Sequence, residues 1–355
     1  MLMKIIQLGA KIGSEGGLGL GNAGDTAVSA ACTNVYKTEF PDCEITYMNC
    51  RKIFQQSDID EINTFDALFV SGGGLFLSDT FPNSVSDWQW GISPELLSKI
   101  TIPIVVYAIG YNKFPRQKDF TPIFDKSVST LVEKSVFFSM RNSGSCNTIK
   151  THIPEKLHSK ISLNFCPTIL FKNHISINVT RNTSVGFLLA GDRLSNRHKD
   201  LENFVTNIQE FKNYLQSKGI KTILINHQND TWISEFIEFD ETKDLYKKSV
   251  EEIYNFYSSI DTVIADRGHG QMIPLACGCK VLSPVSHQKL AWFLNDLELS
   301  EFYIDENDPH LGKLLIKKYQ SFDGLNWNNI YHDLMNKIKS NYDANMNIIK
   351  LKLLK

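Results

Sequence analysis

Two hydrophobic patterns alternate along the chain. Short runs rich in β-branched and aromatic residues are followed by longer stretches whose apolar positions recur every three or four residues. The runs at 3–8, 44–48, 67–70, 104–109 and 136–140 predict strands, with a sixth at 163–166. IVVYAI (104–109) is apolar throughout, which suits a strand covered on both faces of a parallel sheet. Residues 25–36 predict a helix with small residues on one face. Residues 167–183 are Asn-rich, lack a clear period and predict a domain boundary. The pattern then restarts, with strands at 184–189, 222–226, 262–265 and 281–285 and helices at 201–217, 249–258 and 269–276. Strands alternating with helices indicate an α/β fold. The expected assembly is two Rossmann-like domains facing across a cleft. They are an N-terminal one over 1–172 and a C-terminal one over 173–327. A Lys-rich helical tail over 328–355 packs back onto the first.

A length of 355 residues accommodates two domains. Lys plus Arg number 37 and Asp plus Glu 39, a net charge of −2, so no global field draws the chain to nucleic acid or to an anionic membrane. No apolar run approaches the ~18 residues a membrane span requires. The N-terminus reads as a first strand rather than a signal peptide, and the expected compartment is the cytoplasm. The seven cysteines are odd in number and contain no CxxC pair, only the CxC of Cys277 and Cys279. They are expected to be reduced, small apolar residues, and no metal or cofactor is expected.

In open α/β sheets, ligands bind at the carboxyl ends of strands near helix N-termini, so the chemistry is sought there. Gly19 to Gly24 spells GxGxxG and leads into Asp25. Its glycines allow close backbone approach, and Asp25 either serves the site or simply caps the helix. Ser71-Gly72-Gly73-Gly74 follows the third strand, and Gly110-Tyr111-Asn112 the fourth. Arg141 follows the fifth, just before a Ser-rich helix start, where it can grip an anion. Asp266-Arg267-Gly268-His269-Gly270 places a guanidinium fork and an imidazole in one glycine-flanked turn before a helix, an anion-and-acid site. His227 and Asp230 lie at another strand end and either meet substrate or cap a helix. Residues 79–91 hold two Trp and either stack on a sugar or plug the core.

Taken in order, GNAGDTAV (21–28), SGGGLF (71–76), YAIGYN (107–112), SMRNSGS (139–145) and ADRGHGQMIPLACGCKVL (265–282) resemble the polysaccharide pyruvyl transferase family. Lys289 in SHQKL (286–290) matches a lysine often found after the last strand of that family. The chain departs from the family at Gly268, where a bulky apolar residue is usual. The resemblance implies a glycosyltransferase-B-like fold and phosphoenolpyruvate (PEP) as co-substrate. The pyruvyl group would form a ketal on two sugar hydroxyls of a surface polysaccharide or its lipid-linked precursor, or an enolpyruvyl unit would be transferred, with release of phosphate. Arg141, Arg267, Gly268, Gly270 and Lys289 are then the PEP-binding set, His269 the general acid and Asp25 the general base. Asn22, Gly24, Gly73, Gly74, Asn112 and His227 line the acceptor side or the cleft.

Two rivals stand beside this reading: a sugar-nucleotide glycosyltransferase of the same fold, and a non-catalytic glycan-binding relative. A nicotinamide oxidoreductase is disfavoured because Glu44 lies within a strand, not at its end. The tail lysines Lys337, Lys339, Lys350, Lys352 and Lys355 form either a solvated face or a contact with the inner face of a membrane.

Overall fold

The computed structural model describes residues 2–10 and 20–354. Twelve strands form two fully parallel sheets of six. The first sheet contains β1 (Lys4–Gly9), β2 (Glu44–Asn49), β3 (Ala67–Ser71), β4 (Ile104–Ile109), β5 (Ser135–Met140) and β6 (Ile161–Leu163), in the order β2-β1-β3-β4-β5-β6. The second contains β7 (Val185–Leu188), β8 (Thr222–Asn226), β9 (Glu241–Asp244), β10 (Thr262–Ala265), β11 (Lys280–Val285) and β12 (Tyr303–Asp305), in the order β12-β11-β10-β7-β8-β9. Strand order reverses between β1 and β3 in the first sheet and between β7 and β10 in the second. Each reversal opens a crevice at the carboxyl ends of the strands, and such crevices take ligands.

The central strands are buried from end to end, as their continuous apolar runs require: every residue of β3, β4, β7 and β10 is buried. Two strands escape the hydrophobic pattern. β9 reads ETKD and is almost wholly exposed at the sheet edge, where charge protects an unpaired strand. β12 is only three residues long. The strand expected at 163–166 lies at Ile161–Leu163 instead. Asn164 ends its pairing by donating to the Met140 carbonyl, and Phe165 turns under the C-terminal helix, where its N–H reaches Asn341 Oδ1. Thus Phe165 and Cys166 are buried between elements rather than in the sheet. The aperiodic segment contains a short helix, Thr168–Phe171, followed by a single 3₁₀ turn.

The aromatic loop resolves to a core plug. Trp88 and Trp90 are fully buried, edge-on to each other, with Phe76 and Phe54 alongside. The Trp88 indole donates to Ser127 Oγ at 2.9 Å, so neither ring is free for a sugar. All seven cysteines are free thiols.

The C-terminal helix (Trp327–Leu353) returns across the first half. Asn341 and Asn345 donate to the Leu163 carbonyl, and Tyr342 donates to Glu39. Of its lysines, Lys337 pairs with Glu298, Lys339 with Asp343 and Lys350 with Glu39, while Lys355 lies outside the described residues. No helix among the described residues is long and apolar enough to cross a membrane.

The two halves also meet through a pair of helices, Ser143–Lys150 and Gln288–Asp296. Asp296 accepts from the backbone and the hydroxyl of Ser143 at the first helix's start. Trp292 occupies the space where Gly144 lacks a side chain: a Cβ there would lie 1.9 Å from the indole. Gly144→Ala is therefore expected to lower the unfolding free energy by about 1–3 kcal/mol, the usual cost of overpacking, in a urea titration. A variant as stable as the natural protein would show that this seam opens freely.

Candidate active site in the interdomain cleft

The facing strand ends enclose a cavity of about 320 Å³, lined from both halves. The helix Ala23–Glu39 enters it from the first half. Asn22 is its N-cap, accepting from the N–H groups of Gly24 and Asp25 at 2.9 and 3.4 Å. Capping is thus done by Asn22, and Asp25 is left half-buried on the cavity wall. Its carboxylate forms no hydrogen bond or ion pair among the described residues. Gly19 lies outside the described residues, so GxGxxG is seen here only from Leu20 onward.

Arg141 is held from below. A register shift in β4 around Ala108, whose φ is 52°, admits the Ser139 hydroxyl, which bonds both Ala108 N–H and Val106 carbonyl. This irregular strand end leads to Gly110, which must be glycine: a Cβ would lie 2.6 Å from Arg141 Nε. Arg141 is 2% exposed, and its Nε and Nη1 are buried without any hydrogen-bond partner. No carboxylate pairs with it among the described residues. Burial pushes its pKa down, against a weaker opposing pull from Cys166 and Asp25.

Lys289, from the second half, comes close. A Cβ built on Gly268 would lie 3.6 Å from Lys289 Cε and 3.8 Å from Arg141 Nη2. Lys289 likewise has no anionic partner among the described residues, and burial, then Arg141 and Arg197, drive its pKa well down. Two cations from opposite domains thus share a pocket without a counter-ion. Gly268 borders that pocket; its Cβ position meets only ordinary contacts, so local packing does not demand glycine there.

Arg267 is differently placed. Its Nε and Nη2 clasp the fully buried Asp230 at 2.9 and 2.5 Å, and Nη2 also reaches Asp192 at 2.9 Å. Burial opposes the charge, but Asp230 and Asp192 outweigh it and raise the pKa further. Only Nη1 lacks a protein partner among the described residues. Asp230 is a loop clamp, accepting also from the N–H groups of His227, Gln228 and Gly191.

His269 stands at the seam. Its ring fills the space above Gly24, where a Cβ would lie 2.4 Å from Nδ1, and its Nε2 is 3.8 Å from Cys166 Sγ. Burial, then the charges of Arg141 and Lys289, hold its pKa well below the ordinary histidine value. In the unliganded protein it is neutral at physiological pH. His227 is fully buried, with Nε2 2.6 Å from the Tyr257 hydroxyl, and burial together with Arg267 lowers its pKa to about 3. It lines the cavity, and its Nδ1 is buried without a hydrogen-bond partner among the described residues. Gly270 is a packing position: a Cβ would lie 2.5 Å from Leu188, and it is not among the cavity-lining residues. Gly73, Gly74 and Asn112 line the cavity, with the buried Asn112 Oδ1 unpartnered.

The loop after β7 was not singled out from sequence. Asp192 pairs with Arg193, Arg197 and Arg267, whose guanidinium charges overcome burial and keep its carboxyl far below the usual range. Arg193, at φ 58°, reaches across the cleft to Asp79 and Thr80. Phe114 of the first half lies against His287 and under Arg193 and Arg197. The available signal was Gly191-Asp192-Arg193 directly following a strand, the same pattern that marked the other strand ends.

A model of the polysaccharide pyruvyl transferase family matches residues 22–288, and the chain belongs to that family. A search of curated proteins gives no match. Among solved structures it is similar to S. aureus MnaA with UDP (10% identity, TM-score 0.55, covering 94% of this chain and 90% of that one). It is also similar to the UDP-GlcNAc 2-epimerase of Neisseria meningitidis bound to UDP-GlcNAc (12%, 0.52, 99% and 100%). An α-glucosyltransferase in complex with UDP-glucose and DNA is a third (12%, 0.50, 99% and 95%). These likenesses show the fold, a glycosyltransferase-B-like pair of Rossmann domains.

The depressed histidines set a direction for acid stability. His227, His269 and His287 stay neutral when folded because burial disfavours their charged forms. The unfolded chain protonates them near pH 6.5, so below that pH it binds more protons and stability falls as pH falls. Denaturant titrations from pH 7.5 to 5.5 are expected to show this, with a slope of at most ~1.4 kcal/mol per pH unit per histidine. His227→Gln should reduce the slope, and a flat profile for the natural protein would refute the assignment.

Proposed function

We propose that this member of the polysaccharide pyruvyl transferase family moves the pyruvyl group of PEP onto two hydroxyls of a sugar, releasing phosphate. The acceptor is a surface polysaccharide or its lipid-linked precursor, and the reaction is placed in the cytoplasm, at the inner membrane face for a lipid-linked acceptor. The observation that carries this reading is the Arg141–Lys289 pair, a buried guanidinium and a half-buried ammonium from opposite halves, neither with a carboxylate partner among the described residues. Such a pair calls for a compact anion of more than one charge, because unpaired buried charge costs several kcal/mol per ion. PEP brings a phosphate and a carboxylate within one small molecule. Arg141 and Lys289 take one group. Arg267 Nη1 and the N–H groups at the start of the helix Gly268–Ala276 face the other.

The anion also prepares the acid. His269 is neutral in the empty cleft because Arg141 and Lys289 repel a proton as burial does. Bound PEP cancels those charges and raises the imidazole pKa, so binding draws a proton onto His269. His269 then protonates the methylene carbon of PEP, making it a methyl and leaving C2 electrophilic. A sugar hydroxyl attacks C2 and gives its proton to Asp25. The C2–O bond to phosphate breaks, the second hydroxyl closes the ketal and its proton is lost. The balance is one PEP and one diol to one ketal and one phosphate. No step calls for a metal ion or a further cofactor.

Calorimetric titration with PEP tests the donor. The natural protein should bind it saturably and take up protons near pH 7, seen as a heat that varies with buffer ionisation enthalpy. Arg141→Ala should weaken binding about ten- to hundredfold, the value of hydrogen bonds to a charged group. His269→Gln should retain binding but lose the proton uptake, and with Asp25→Asn should lower turnover about 10²- to 10⁴-fold. Binding of UDP-sugars in place of PEP would overturn the reading in favour of a sugar-nucleotide transferase.

A further inference from the structure

A second cluster of unmet polar groups lies beneath the cleft, in the second half alone. His198 follows the short helix Leu194–Arg197, Asp266 follows β10 and Glu306 follows β12. Spacing along the sequence gave no hint of it, because the three come from three separate strand-end loops. They are 5%, 0% and 2% exposed. One donor atom from each lies within 4.8 Å of the others. Both ring nitrogens of His198, both oxygens of Glu306 and Oδ2 of Asp266 are buried without hydrogen-bond partners. His198 Nδ1 lies 3.4 Å from Glu306 Oε1, an ion pair only if the ring is protonated. Asp266 Oδ1 is already used by Ala190 N–H at 2.7 Å, which fixes the carboxylate's direction. The His198 ring is pressed against Phe204, 4.3 Å between centroids, and does not turn to water.

We propose that His198, Asp266 and Glu306 bind one divalent first-row transition cation of the Zn²⁺ or Mn²⁺ class. Two carboxylates neutralise a dication, and an imidazole with carboxylates is the donor set such ions take, whereas Ca²⁺ and Mg²⁺ prefer oxygen alone. Donors around Zn²⁺ sit about 3.3 Å apart, so the cluster closes on an ion through a shift of about 1 Å. Without an ion, burial pushes both carboxyls up, which is the stress an ion relieves. The charged neighbours do not forbid it. Arg197 directs its guanidinium to Asp192, the Asp266 backbone carbonyl and Ser286, and Arg267 is clasped by Asp230. Three protein ligands leave a fourth position for a water, and the burial of all three sets the ion back from the cleft. The ion binds together the loops after β7, β10 and β12, and Asp266 immediately precedes the Arg267–His269 turn.

The test uses untagged full-length protein stripped with chelator. Zn²⁺ and Mn²⁺ are titrated by calorimetry, with Mg²⁺ and Ca²⁺ as controls, and X-ray absorption reports the ligand shell of the bound ion. One equivalent per chain, a shell of nitrogen and oxygen only, and a raised melting temperature are expected. Glu306→Gln and His198→Gln keep side-chain shape and should each weaken binding at least tenfold. No saturable binding of either metal would overturn the proposal and leave a shared proton as the occupant. A sulfur-containing shell, or undiminished binding in both variants, would overturn it as well. Should the variants fail to fold, the stoichiometry and shell of the natural protein decide. None of these readouts depends on PEP, so failure here and failure of the donor assignment are separable.

Discussion

Burying Arg141 beside Lys289 with no anion is the constraint that shapes the cleft. A guanidinium denied both water and carboxylate is unfavourable by several kcal/mol unless the fold holds it in place. The first half does so through a chain of close contacts. The Ser139 hydroxyl is inserted into the irregular end of β4, Gly110 gives up its side chain to the guanidinium, and Gly74 allows approach from above. Lys289 sits at the start of a helix in the other half. The repulsion between the two cations therefore acts across the domain seam, and an anion bound between them turns that repulsion into attraction.

The other charges in the cleft are arranged to keep that pair free. Arg193, Arg197 and Arg267 gather around Asp192, and Asp230 takes most of what Arg267 offers. The second half thus neutralises itself internally. Asp79 binds Arg193 from the opposite side, and Phe114 lies under the same arginines. The proposed acid is placed by the same logic. His269 packs on Gly24 across the seam, so its position depends on both domains being together.

Much of this was legible in the sequence because buried parallel strands and strand-end glycines leave strong marks. The runs at 104–109, 222–226 and 262–265 coincide with β4, β8 and β10, since continuous β-branched stretches have few other uses. The edge strand β9 was not legible, because solvent rather than a core selects its residues. Positions 163–166 misled because only Leu163 belongs to the ladder, while Phe165 and Cys166 are buried between elements. Among site residues, strand-end pattern singled out Arg141, Asp25 and His269 and the family resemblance added Lys289; the fold gathers all four around the cavity, three of them in the first turns of helices. The pattern could not say that Arg267 is matched by Asp230 while Arg141 is unmatched, since pairing across 37 residues leaves no periodic trace. Gly270 looked like a site residue because glycines at strand ends serve packing as readily as chemistry.

The position after Arg267 shows how a local departure fits this scheme. A Cβ at Gly268 would project toward Lys289 and Arg141 at ordinary contact distance, so a larger side chain would grow into the space the two cations share. Leaving that space open lets the bound anion reach both cations and keeps the N–H at the helix start accessible from the cleft. The proposed donor site in this chain therefore rests on the charges of Arg141 and Lys289, with no side chain at 268 to wall them off.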